Sequence, residues 1–215
     1  MSLFFSLKKI VNAEKTILYI GGIVMSVIVA IKDKKRVVVG VDVRMSSCDT
    51  YIDSYSRRPK AIHINKKKDI IVGGVGNIGL VDVLKQHLSG YQQKDLYTID
   101  RSFIVKYVIP ALVISARDYE MTDKEGKMDG VLLIAVQDRA YIITGNYSVE
   151  EVVKYVAEGS GREAALGSLY TSAQLLSISA EERIRLAIKS AGSCINTVSK
   201  ASYIGDTAGT DFKPA

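Results

Sequence analysis

Ser26 is the residue whose type and position carry the most chemistry in this chain. It follows Met25 and opens the run SVIVAIKDKKRVVVGVDVR. If Ser26 begins a mature chain, its hydroxyl is a nucleophile and its own α-amine is a base. Such an amine has a pKa of about 7.7–8.0, so part of it is neutral near pH 7 and can accept the hydroxyl proton. If Ser26 is internal, it is an ordinary strand serine and that chemistry is absent. Asp42 and Arg44 close the second strand of the same run. Further along stand Lys60 before Ala61-Ile62-His63-Ile64, Gly76 within Val75-Gly76-Asn77, and Ser160 within Gly159-Ser160-Gly161. Taken singly, Asp42, Gly76 and Ser160 each have an everyday reading: a strand-end turn aspartate, a tight-turn glycine and a loop serine.

Other chemistries find no footing. His63 and His87 complete no Ser-His-Asp set, and no zinc spacing, P-loop or dinucleotide fingerprint is present, so neither a metal nor a cofactor is expected. The two cysteines, Cys48 and Cys194, lack metal-ligand spacing and read as packing residues in a reduced compartment, which places the protein in the cytoplasm. Net charge is +6, but Lys34-Lys35-Arg36 and Lys66-Lys67-Lys68 are turn charges without interleaved aromatics, so no nucleic-acid partner is implied. Thr16–Ile31 is apolar but shorter than the roughly 20 residues of a membrane span. Lys8 and Lys9 precede it as in a signal peptide, yet no small-x-small site ends it cleanly. The run splits better, with Ser26–Ile31 in the first strand and residues 1–25 as an appendage; no membrane partner is expected.

The elements that must position these residues read as hairpins and helix pairs. Ser26–Lys32 and Arg36–Asp42 form a first hairpin, Met45–Pro59 a polar loop, and Lys60–Ile64 with Asp69–Gly74 a second hairpin. Asn77 is placed to cap a helix over Ile78–Ser89, followed by a loop at Gly90–Thr98. A second helix covers Ile99–Glu120, with a kink at Pro110. Strands follow at Gly130–Gln137, Ala140–Thr144 and Val152–Ala157. A helix over Arg162–Tyr170 precedes another that starts with Ser179 as cap, Glu182 three residues on, and runs to Cys194. Ala201–Ile204 is the last strand, and residues 206–215 read as a flexible tail. This order predicts one α+β domain over residues 26–205: a four-layer αββα sandwich of two antiparallel sheets flanked by helix pairs.

The pieces SVIVAIKD, VVVGVDVR, PKAIHI, DIIVGGVGN, YIITGN and AEGSGREAALG, in this order across about 180 residues, resemble the proteasome β-subunit superfamily of N-terminal nucleophile hydrolases, and bacterial HslV (ClpQ) in particular. The resemblance implies roles. Ser26 matches the nucleophile, where the family usually has threonine. Asp42, sixteen residues on, matches the acid that orients a lysine ammonium. Lys60 matches that lysine, at a spacing two residues longer than the commonest form; Arg57 or Arg58 would fill the unshifted spacing, but arginine is too basic to exchange a proton. Arg44 matches a basic position that supports the loop. Gly76 matches the backbone N–H donor to the oxyanion, and Ser160 the serine that hydrogen-bonds the N-terminal amine. The family's late aspartate is missing: Ala191-Gly192-Ser193-Cys194-Ile195-Asn196-Thr197 holds no carboxylate, and Ser193 or Cys194 takes that place.

Residues 1–25 are either a propeptide or a mis-assigned start. Self-processing relatives cut after glycine, whereas Met25 precedes Ser26 here. Met25 as initiator fits better, since an aminopeptidase removes methionine before a small serine, and Gly21-Gly22 can be encoded by a ribosome-binding sequence. The resemblance as a whole implies a threonine/serine-type endopeptidase acting on unfolded protein or peptides inside a homo-oligomeric ring, with an ATP-dependent unfoldase as candidate partner. Two alternatives stand beside it: an inactive proteasome-fold assembly or binding protein, and an amidohydrolase of small molecules on the same fold.

Overall fold

Runs of β-branched residues separated by short charged turns dictate the two sheets that dominate the molecule. The computed structural model describes residues 26–47, 50–53, 60–175 and 177–215. The extension 1–25, Cys48, Arg57 and Arg58 lie outside the described residues.

The first sheet contains β1 (Val27–Asp33), β2 (Arg36–Asp42), β10 (Tyr155–Gly159), β11 (Ser202–Asp206) and β12 (Lys213–Pro214), in the order β10-β1-β2-β11-β12. The second contains β5 (Ala61–His63), β6 (Ile70–Gly76), β7 (Gly130–Val136), β8 (Arg139–Ile143) and β9 (Val149–Glu151), in that order. Within both sheets every pairing is antiparallel.

Strand alternation decides which residues meet between the sheets. Ile28, Ala30, Val37, Val39 and Val41 face Ile71, Val75, Leu133 and Ala135 across the interior. The opposite faces are covered by helices. On the second sheet, α1 (Gly79–Ser89) and α3 (residues 101–118) bury Leu80, Leu84, Leu88, Ile104, Val108 and Leu112 against Ile70, Val72, Leu132 and Ile134. On the first sheet, α4 (Arg162–Ser172) and α5 (Ala180–Cys194) bury Leu169, Ile184, Ala187, Ile188 and Ala191 against Val27, Val29, Ile31 and Val38. Each of the leucine, isoleucine and valine side chains contributes roughly 1.5–3 kcal/mol by leaving water. The result is the four-layer αββα sandwich expected from the sequence. Ser179 accepts a hydrogen bond from the Glu182 N–H and starts α5 as its spacing predicts.

The differences from expectation have local causes. The polar loop after Asp42 contains a small hairpin, β3 (Arg44–Ser47) with β4 (Thr50–Asp53), and Arg44 bonded to Asp53 spans its open end. The loop at 90–98 holds a single helical turn, α2 (Gln93–Leu96). In α3 the Pro110 kink is a widened turn: Ile104–Val108 is π-helical, and the Ile109 N–H reaches Ile104 O. Pro110 has no N–H to give and its ring crowds the carbonyl four residues back, so the turn opens instead of breaking. The strand expected at 152–157 is two strands, β9 and β10, because one pairs with β8 and the other with β1.

Residues 206–215, read from the sequence as a loose tail, fold back on the first sheet. Lys213 and Pro214 pair with Ile204 and Tyr203, and the Ala215 N–H donates to Ser202 O. Asp206 gathers Arg36, Thr210 and the N–H of Ala208 around its carboxylate. Ten residues without an apolar period gave no signal for this, since polar bonds hold most of the segment. No helix among the described residues is long and apolar enough to cross a membrane.

Candidate active site

The β1–β2 hairpin converts a separation of sixteen residues into contact. Its register sets Ile28 opposite Val41, so Val27 lies across from Asp42. Asp42 Oδ1 accepts from the Val27 N–H at 3.0 Å. Its Oδ2 accepts from the N–H groups of Arg44 and Ser199, each at 3.1 Å. A carboxylate with three backbone donors is well compensated although only 1% exposed.

Ser26 precedes β1 and has the same strand parity as Ile28, which looks toward the second sheet. Lys60 reaches it from there. The Lys60 carbonyl accepts from the Gly74 N–H at 2.9 Å, fixing the start of β5 against β6. Lys60 Nζ donates to Ser26 Oγ at 2.5 Å and to Asp42 Oδ1 at 2.6 Å. Nucleophile candidate and acid come from one sheet, the lysine from the other. Ser26 is 4% and Lys60 6% exposed, so the triad is shut off from bulk water. Burial pushes the Lys60 ammonium below the usual lysine range, and the adjacent Asp42 carboxylate opposes that shift.

Ser160 follows β10, whose Gly159 pairs with Val27. The Ser26 N–H donates to Ser160 Oγ at 3.2 Å, and Ser160 Oγ lies 3.3 Å from Ser26 O. Gly76 ends β6 with φ +92°, in the left-handed region where only glycine is unstrained. A Cβ there would stand 2.6 Å from Asp129 O. Beyond it, Asn77 Oδ1 accepts from the Gly79 N–H at 3.0 Å and so caps α1 from one position earlier than a regular cap. Ser26, Arg44, Met45, Lys60, Gly76 and Ile78 line a cavity of about 70 Å³.

Of the sequence-selected residues, Ser26, Lys60 and Gly76 line one cavity, while Asp42 is bonded to Lys60 and Ser160 to the Ser26 N–H behind it; Lys60 makes the contacts to Ser26 and Asp42. Arg44 stands beside them. It binds Asp53 at 2.8 Å and Asn196 O at 2.5 Å, tying the β3–β4 hairpin to the loop after α5. The arginine also holds the Asp53 carboxyl below its ordinary value. His63 and His87 lie elsewhere, on Thr210 O and Tyr107 O.

The place next to Ser160 is not taken by Ser193 or Cys194. Ser193 Oγ donates to Lys189 O within α5, and Cys194 is exposed. Thr197 fills it instead, with Oγ1 2.9 Å from Ser160 Oγ. Ser199 was also missed; its N–H holds Asp42 and its hydroxyl donates to Asp53 at 3.2 Å. The signal for both was Gly192, where the chain after α5 turns back over the helix. A Cβ on Gly192 would meet the Ser199 carbonyl carbon at 2.7 Å.

No protein-family model matches the chain. Among solved structures, BPH from Thiobacillus denitrificans in complex with epoxomicin matches with a TM-score of 0.68 and 18% identity, over 87% of this chain and 100% of that one. The same protein without epoxomicin matches over 88% and 100%, again at 0.68 and 18%. Eukaryotic HslV from Trypanosoma brucei matches at 0.60 and 17%, over 84% of this chain and 98% of that one. The two five-stranded sheets and their flanking helix pairs are therefore a proteasome/HslV-like fold.

Proposed function

We propose that the protein is an N-terminal nucleophile peptidase in which Ser26, with a free α-amine, attacks peptide carbonyls. The observation that carries this reading is the buried Lys60 ammonium lying between Ser26 Oγ and Asp42 Oδ1. A cation 2.5 Å from the hydroxyl oxygen lowers the energy of the alkoxide that forms during attack.

Ser26 Oγ adds to the carbonyl carbon while its proton passes to the α-amine. The oxyanion is received by the Gly76 N–H. Collapse expels the leaving amine, which takes the proton back from the ammonium, and leaves an ester on Ser26. Water, deprotonated by the same amine, then attacks the ester and restores the serine. Residues 1–25 have no place in the active form. The backbone of Ser26 supports this: its φ is +139°, a conformation that a non-glycine residue rarely adopts, and that torsion ceases to exist once Ser26 begins the chain. The full reading includes a homo-oligomeric ring enclosing the sites, unfolded protein or peptides as substrates, and an ATP-dependent unfoldase as partner. The likeness to HslV supports the ring.

The small cavity favours a second reading. A cavity of about 70 Å³ suits small amides as well as peptides with small residues before the cleaved bond. The test is a chain beginning at Ser26, its terminus verified by intact mass, offered both fluorogenic peptides and small amides alongside its Ser26→Ala variant. Peptide turnover lost in Ser26→Ala supports the peptidase, turnover of small amides alone supports the second reading, and equal rates for both forms defeat both.

A further inference from the structure

We propose that Thr197 is a positioning residue for the Ser26 amine, acting through Ser160 as a neutral hydroxyl relay that can turn to suit either protonation state of that amine. This rests on the peptidase reading and goes beyond it.

Ser160 has one proton and two lone pairs. Its oxygen lies 3.2 Å from Ser26 N, 3.3 Å from Ser26 O and 2.9 Å from Thr197 Oγ1. When the amine is an ammonium, Ser160 accepts its N–H and sends its own proton to Thr197 Oγ1. When the amine is neutral, Thr197 turns and donates to Ser160, and the Ser160 proton points to the amine lone pair. Both arrangements are fully hydrogen-bonded, because a threonine hydroxyl donates and accepts equally well. A carboxylate at this place only accepts. It would hold the Ser160 proton away from the amine and add a negative charge that keeps the ammonium protonated.

The charged groups on the surrounding elements are committed to one another. Asp42 on β2 is bonded to Lys60 at the start of β5. Arg44 on β3 is bonded to Asp53 on β4. Glu158 on β10 faces Arg162 of α4 at 3.4 Å, and Arg162 also approaches Glu163. The relay hydroxyls, Ser160 and Thr197, are the uncharged part of this surround. The loop that carries Thr197 is held by Arg44 on Asn196 O and by the close approach of Ser199 to Gly192, so the threonine is fixed from both sides.

The experiment uses the chain beginning at Ser26 with Thr197→Asp, Thr197→Asn, Thr197→Val and Thr197→Ser variants. Ionisation of the N-terminal amine is read from the pH dependence of its acylation rate, by mass spectrometry of the N-terminal peptide, which needs no turnover. The pH profile of kcat/KM is read in parallel. Thr197→Asp should raise the amine ionisation by about one pH unit or more and carry the acidic limb of kcat/KM with it. Thr197→Asn, of the same size and neutral, should leave it within a few tenths. Thr197→Val should lower kcat about tenfold at unchanged KM, and Thr197→Ser should restore it. An amine titration that is the same in wild type, Thr197→Asp and Thr197→Asn overturns the relay. A shifted titration with no turnover in any form sustains the relay and defeats the peptidase reading instead.

Discussion

Lys60 Nζ reaches Ser26 Oγ at 2.5 Å across the gap between two sheets and so joins them through a charge bonded on both sides. Asp42 anchors it at 2.6 Å. The geometry of the pair therefore depends on the packing of Ile28 and Val41 against Val75 and Leu133. The residues of the site divide into those that hold the fold and those that act on the hydroxyl, and substitutions separate the two.

Asp42 belongs to both groups. Asp42→Ala strands Lys60 as an unpaired buried cation and removes the acceptor of three backbone N–H groups. Its expected cost is about 3–5 kcal/mol. Lys60→Met leaves Asp42 with those same three donors and keeps most of the side-chain volume. Urea denaturation should find Lys60→Met more stable than Asp42→Ala by at least about 2 kcal/mol, with both inactive. Equal stabilities would mean that the lysine, not the backbone, holds the carboxylate.

Burial lowers the Lys60 pKa, and the sign of its effects follows. The ammonium is present below the folded pKa, so activity should fall as pH rises through a value under the ordinary lysine figure of about 10.4. In the window between that folded value and the unfolded one, the unfolded chain binds more protons. Stability therefore rises with pH there. A basic limb of kcat/KM that vanishes in Lys60→Arg, if that variant turns over, and a stability slope lost in Lys60→Met are the expected results.

Gly76→Ala tests the oxyanion donor. The φ of +92° and the 2.6 Å approach of Asp129 O leave no room for a methyl group without moving the turn. Strain of about 1–3 kcal/mol should appear in thermal unfolding. The displaced N–H should lower kcat roughly 10²–10³-fold with the protein still folded. Unchanged kcat would remove Gly76 from the mechanism.

The C-terminal segment offers a test away from the site. Phe212 packs over Gly205 and near His63, and Lys213–Pro214 cover the edge of β11. Ending the chain after Asp211 should cost about 1–3 kcal/mol, the burial of one aromatic and a few edge bonds. Circular dichroism melting of the truncated protein measures it.

Much of this was readable because it is local. The β-branched runs and short charged turns specify both hairpins, and the β1–β2 register alone carries Val27 to Asp42. Ser179 and Glu182 announce α5. What escaped was set by distant contacts. Thr197 is recognisable only once the chain after α5 turns back over Gly192, and counting along the helix pointed to Ser193 and Cys194 instead. The π-turn at Ile104–Val108 shows as a kink in the sequence but not as a widened turn. The C-terminal strand is two residues long and paired through its backbone, and the turn before it is held by Asp206, neither of which hydrophobic patterning registers.

The most direct test of Ser26 as nucleophile is to trap the ester. A chain beginning at Ser26 is mixed with excess substrate carrying a good leaving group, quenched in acid within the first turnovers, and mapped by mass spectrometry. The acyl mass should be found on the N-terminal peptide at the Ser26 hydroxyl, absent from Ser26→Ala and from a chain that retains residues 1–25. Turnover without that adduct, or an adduct on another residue, would contradict the account.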